Sequence, residues 1–180
     1  MISGASGTGK SLFLRAIVDL DENEGEVFLD DIERNKTPAH IWRTLVAFVP
    51  AQTGWWADIV GEHFEHTDML NDLLLALGLP LDALNWQVSR LSSGEMQRLG
   101  LVRALCLKPK VLLLDEPTSA LDVKATKLVE TLIKEQLNSG VTIIMISHDE
   151  AQVKRLSKRA YILQNGELKL QKSIKRQKNG

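Results

Sequence analysis

The chain has 180 residues, 44% apolar and 25% charged, which suits one globular domain, or one domain carrying a small inserted subdomain, and excludes a disordered or fibrous chain. Its 22 basic and 23 acidic side chains leave a net charge of −1, so no global field draws it to nucleic acid or anionic lipid, and no nucleic-acid partner is expected. A single cysteine, Cys106, excludes an internal disulfide and reads as a small apolar residue on a buried helix face, and no apolar run is long enough to span a bilayer.

From the N-terminus, Met1, Ile2 and Ser3 run directly into Gly4, Ala5, Ser6, Gly7, Thr8, Gly9, Lys10 and Ser11, which fit the phosphate-loop pattern G-x-x-x-x-G-K-[ST]. Glycines let the backbone curl so that successive N–H groups face phosphate oxygens, and the dipole of the following helix favours the anion. Lys10 adds a point charge toward the β- and γ-phosphates, and Ser11 offers a hydroxyl to Mg2+. Leu12, Phe13, Ala16, Ile17 and Leu20 keep helical spacing, predicting a helix from Lys10 to the acidic stretch at 21–24. Residues 27–29 predict a strand before a turn at Asp30-Asp31, Thr37-Pro38 opens a short helix through Trp42, and residues 44–49 make a strand stopped by Pro50.

Between Thr53 and Arg90 strand signals vanish and the pattern turns helical, with Phe64, Leu70, Leu73, Leu74 and Leu77 on one face until Gly78 and Pro80 break it. With the next helix, 93–107, this reads as an inserted helical subdomain over about 53–108. The run 111–115, VLLLD, predicts a strand covered on both faces, then a helix over 123–137, a second buried strand over 141–147, and a helix near 149–157. Asn165-Gly166 between AYILQ and ELKL predicts a tight hairpin, and the basic tail Lys172, Lys175, Arg176 and Lys178 reads as a solvated end. Strands alternating with helices give an α/β fold with a parallel sheet.

A phosphate loop needs a metal partner, and Asp115 supplies one at the end of a buried strand, followed directly by Glu116. This pair falls at the sheet edge where open α/β sheets bind ligands, so Asp115 is read as ordering Mg2+ and Glu116 as the general base that polarises a water. A helix cap plus one solvated carboxylate is the plainer reading of the same two acids. Likewise Ser92-Ser93-Gly94-Glu95 is a capping box, yet a capped helix with glycine in its first turn is also an anion site.

These pieces in order, with LSSGEMQR at 91–98 upstream of VLLLDEPTSALD at 111–122, Gln52 after one strand and His148 after another, resemble the ATP-binding cassette ATPase family from Ile2 to about Leu170. The resemblance implies a P-loop NTPase parallel-sheet core with a small α-helical insert, hydrolysing ATP with Mg2+. It implies that Gln52 senses Mg2+ and the attacking water, that His148 contacts the γ-phosphate, and that Ser92, Ser93, Gly94 and Glu95 grip the ATP bound to a second, identical subunit. Ser119 and Asp122 then sit at the subunit contact. The implied partner is an integral membrane permease, with the chain peripheral on the cytoplasmic face of the cell membrane.

Two departures mark the signature, Ser93 for glycine and Glu95 for glutamine in LSGGQ. Only three residues precede the loop and none is an aromatic that could stack on adenine, so we expect either a piece of a longer protein, the favoured reading, or a reduced member of the family, with weak nucleotide affinity and poor solubility on its own. The stretch VPAQTGWWADIV looks export-like, nearest to metal or iron export. Two alternatives stand beside transport: a soluble cassette ATPase with another task, and a nucleotide-binding assembly module with little turnover. For Trp55 and Trp56 two readings also stand, a hydrophobic dock for the membrane partner or packing with Trp86 in the insert's core.

Overall fold

The computed structural model describes residues 1–65 and 67–171, so the basic tail lies outside the described residues. Its first strand, β1 (Ile2–Ser3), leads through the phosphate loop into α1 (Lys10–Ile17). There follow β2 (Phe28–Leu29), β3 (Ile32–Glu33), α2 (Ala39–Leu45) and β4 (Val46–Val49). Then come α3 (Leu70–Ala76), α4 (Ser93–Cys106), β5 (Val111–Asp115), α5 (Val123–Asn138), β6 (Thr142–Ile146), α6 (Glu150–Leu156), β7 (Tyr161–Gln164) and β8 (Glu167–Leu170), with α3 and α4 inside the span expected of the insert.

Six strands form one sheet in the order β4-β5-β6-β1-β7-β8, parallel except for the closing β7–β8 hairpin. All five residues of β5 are buried, because side chains alternate between two covered faces. Leu113 packs with Leu14, Trp42 and Ile146, whereas Leu112 and Leu114 pack with Leu99, Leu101 and Val129 on the other side. The hairpin turns through Asn165 at φ 53° and Gly166 at φ 77°, the two positive φ values that a two-residue turn of matching twist requires.

The predicted strands and helices are present with shifted ends. Helix α1 stops at Ile17 because Asp19 adopts φ 62°, leaving Leu20 exposed rather than on the apolar face. Strand β3 was not expected; it pairs with β2 across Asp30-Asp31 in a hairpin too short to show alternation. The insert differs most. Among the described residues between 53 and 90 only Leu70–Ala76 is α-helical, and loops with short 3-10 turns at Val60–His63, Leu81–Asn85 and Val88–Arg90 make up the rest. Gly61, within the first of these turns, passes so close to the Leu84 carbonyl oxygen that a Cβ there would stand 2.8 Å away. Leu70, Leu73, Leu74 and Leu77 are nonetheless buried together, as their spacing predicts.

Candidate functional site

In a parallel sheet every strand delivers its C-terminal end to the same edge. Here β1 delivers Gly4, β4 delivers the segment reaching Gln52, β5 delivers Asp115 and Glu116, and β6 delivers Ser147 and His148. Register makes this tighter: Ile146 pairs with Asp115 on one side and with Ile2 on the other, and Glu116 N–H donates to the Ile146 carbonyl at 3.1 Å. Strands lie about 4.8 Å apart, so the acid pair and the loop are separated by about 10 Å, room for a phosphate chain.

The loop itself is held from within. Gly4, at φ 148°, lets the backbone pass β7, where a Cβ would fall 2.6 Å from the Leu163 carbonyl oxygen. Gly9, at φ 90°, turns the chain into α1, so the unpaired N–H groups of the first helical turn face the loop. The Lys10 ammonium is buried and donates to the carbonyl oxygens of Gly4 and Ala5 at 2.9 and 2.8 Å. An ammonium has three protons, so one is left for a phosphate oxygen. Ser11 is exposed at the loop's end.

Asp115 is only 6% exposed, and its carboxylate accepts no hydrogen bond and forms no ion pair among the described residues. A buried carboxylate without a protein partner suits a cation. Together with the Ser11 hydroxyl it offers the hard oxygens that Mg2+ prefers. Glu116 carries a left-handed backbone, φ 48°, unusual for a non-glycine residue. Its Oε1 lies 3.1 Å from His148 Nε2. Sequence reading had placed both residues here, and the structure brings them into contact.

Gln52 is exposed in a bend and its side chain makes no hydrogen bond among the described residues, so the structure does not join it to Glu116 and His148. Asp122 caps α5, accepting from Ala125 N–H at 2.7 Å, and the Ser119 hydroxyl donates back to the Glu116 carbonyl at 3.1 Å. At α4 the capping box is complete. Ser92 Oγ accepts from Glu95 N–H, and Glu95 Oε2 accepts from Ser92 N–H at 2.8 Å and from the Ser92 hydroxyl at 2.7 Å. The hydrogen bonds from the Ser92 hydroxyl and its backbone hold the Glu95 carboxyl below its usual range. The Ser92 proton is therefore committed to Glu95, which leaves the first-turn N–H groups at Ser93 and Gly94 as the open donors.

A second cluster follows Gln52. Trp55 and Trp56 flank the Arg103 guanidinium at 4.9 and 4.8 Å, and both meet the His63 ring edge-on. His63 Nε2 accepts from the N–H groups of Trp56 and Ala57 at 2.9 and 3.0 Å, which requires the neutral ring with its proton on Nδ1 facing the Ile59 and Val60 carbonyls. Trp55 borders the main core together with Trp86, whereas Trp56 is 72% exposed, so the two tryptophans divide between the two readings. Sequence reading missed this cluster, because it joins α4 to two turns without any periodic signal. A cleft of about 670 Å³ lined by Met1, Ile2, Ile143 and Tyr161 lies at the opposite end of the strands and includes no phosphate-loop residue.

Residues 1–119 match the family model described as ABC transporter. The chain belongs to this family. The cassette is 34% identical over 177 residues to the spermidine/putrescine import ATP-binding protein PotA of Roseobacter denitrificans, an alignment covering 92% of this chain and 49% of that one. It is 33% identical over 195 residues to the phosphate import ATP-binding protein PstB 2 of Shouchella clausii, covering 92% and 69%. The cassette thus spans about half the length of the first relative. Among solved structures, a dimeric ATP-binding cassette in a post-hydrolysis state bound to ADP and Pi superposes with a TM-score of 0.81 at 27% identity, covering 95% of this chain and 83% of that one.

Proposed function

We propose that this cassette binds and hydrolyses MgATP as the ATPase subunit of a membrane transporter. The observation that carries the proposal is the convergence, at one sheet edge, of a phosphate loop, a buried carboxylate without a protein partner, and Glu116 in contact with His148. The loop N–H groups and the free Lys10 proton bind the phosphates, and Ser11 and Asp115 would hold Mg2+, which when bound draws charge from the phosphate oxygens. Glu116 takes the proton of the attacking water while His148 Nε2 holds the carboxylate in place. Gln52, exposed in its bend, would meet the attacking water and the metal when both are bound. Ser93 and Gly94, with Ser92 and Glu95 shaping the turn, cap the γ-phosphate of ATP held by a second copy, and Ser119 and Asp122 meet that copy. Phosphate release from MgATP by the purified protein tests the proposal; a protein that binds MgATP and releases none would favour the assembly module.

The permease partner, and with it a place on the cytoplasmic face of the membrane, is supported by the transporter names of the relatives. The expected lean toward metal or iron export finds no support in those names, which are import proteins, so the proposal stops short of cargo and direction. Trp56 is the docking candidate. Trp56→Ala is expected to lower the melting temperature by a few degrees at most, because the ring is largely exposed and gives up only its contacts with Arg103 and His63, to leave basal phosphate release unchanged, and to weaken capture by the permease about tenfold or more, as loss of an aromatic anchor does. Undiminished capture in a pull-down of the detergent-solubilised permease would remove the docking role.

A further inference from the structure

The turn that carries Glu116 is gripped from two sides by buried glutamine amides. From α4, Gln97, 3% exposed, donates Nε2–H to the Glu116 carbonyl at 2.8 Å and accepts the Ala120 N–H on Oε1 at 3.3 Å, bridging both ends of the turn. From α6, Gln152, 0% exposed, donates to Thr118 Oγ1 at 2.9 Å and to Glu130 Oε1 at 3.2 Å, while its Oε1 accepts from the hydroxyl of Ser147, the neighbour of His148, at 2.8 Å. Burial alone would raise the Glu130 carboxyl, and the bonds from Arg155 and Gln152 outweigh it, so the amide sits beside a carboxylate held below its usual range. Buried amides with every bond directed in this way are costly to satisfy and fix the groups they touch.

We propose that Gln97 and Gln152 are positioning residues for hydrolysis, holding Glu116 in its left-handed backbone and in register with the His148 loop. The inference rests on the proposed MgATP hydrolysis. Two further contacts give Gln97 a reach beyond the turn. Gly94, one turn earlier on α4, presses on the same segment so closely that a Cβ would stand 3.1 Å from the Ala120 carbonyl oxygen. Gly100 and Arg103, the next positions at helical spacing, touch Thr53 and the Gly54 carbonyl beside Gln52. One helix thus joins the signature, the turn of the general base and the tryptophan loop, and Gln97 is its hydrogen-bonded link to Glu116.

The test compares full-length parent, Gln97→Met and Gln152→Met, both close in volume and without the amide. A misplaced base slows the chemical step without weakening nucleotide binding, so kcat for MgATP should fall about a hundredfold in Gln97→Met and about tenfold in Gln152→Met. The Kd for MgATP by calorimetry should stay within about twofold of the parent. A kcat within about twofold of the parent in both variants overturns the inference. So does a loss no larger than the unfolded fraction seen by near-UV circular dichroism, since that is a packing effect alone. A parent that binds MgATP and releases no phosphate overturns the hydrolase reading and this inference with it, whereas an active parent with active variants removes this inference only.

Discussion

The Glu116→Gln protein is expected to bind MgATP as tightly as the parent and to release phosphate about a thousandfold more slowly, the scale of a lost general base. The substitution keeps the length of the side chain and an oxygen able to accept from His148 Nε2, so the 3.1 Å contact survives while the group that takes the proton is gone. Backbone placement is also preserved, because the bonds from Ile146, Gln97 and Ser119 all involve the main chain of Glu116. Rapid quench with radiolabelled ATP measures the chemical step directly. Turnover near the parental rate would assign the base elsewhere and leave Glu116 as a solvated carboxylate beside a histidine.

Loss of Lys10 is expected to act on binding instead. In Lys10→Ala the phosphates lose a charge-assisted donor, worth about 1.5–3 kcal/mol, or about ten- to a hundredfold in Kd for MgATP. A second effect adds to this. The Gly4 and Ala5 carbonyls, which accept from Lys10 Nζ at 2.9 and 2.8 Å, lose their donor, and the loop loses the contacts that hold its curl. Lys10→Arg should not restore affinity, because the wider guanidinium cannot occupy a site that is 7% exposed and sized for an ammonium. Calorimetric titration that finds parental affinity in Lys10→Ala would show that the loop is an ordinary glycine turn.

Much of the fold was legible because its central strands are short apolar runs ending in punctuation. The run 111–115 is buried throughout, and its terminal acid lies where a parallel sheet presents ligand-binding groups. The insert was legible only in its leucine face. Its backbone is a set of 3-10 turns around one short helix, and a helical spacing of apolar residues does not distinguish a helix from turns packed on a common core. In the site, the loop and the acid pair could be read from the residues themselves because each lies at the end of a strand, whereas His148 is legible only through the resemblance to the cassette ATPases, since a lone histidine after a strand is by itself more often structural. Gln97 could not be read from its type, since glutamine is ordinarily a surface residue. Its spacing held the clue: Gln97 shares a face of α4 with Leu101, Ala104 and Leu105, all buried, so a polar residue stood on the apolar side. Of the Trp55, Trp56, His63 and Arg103 cluster only the tryptophan pair stood out in the sequence, because His63 lies in a turn without periodic signal and Arg103 lies far along the chain on α4 and meets the others only in the folded state.

In the proposed dimer MgATP lies between the phosphate loop of one copy and the first turn of α4 in another. This arrangement is tested most directly by self-association of the Glu116→Gln protein with and without MgATP, measured by light scattering, alongside the same protein carrying Ser93→Asp. Ser93 is exposed at the first position of α4, where aspartate suits the helix but places a negative charge against the incoming phosphate. Glu116→Gln is expected to dimerise only with MgATP, and the added Ser93→Asp to leave it monomeric while still binding MgATP. A Glu116→Gln protein that binds MgATP and remains monomeric, or one that dimerises equally with Ser93→Asp, would contradict this arrangement.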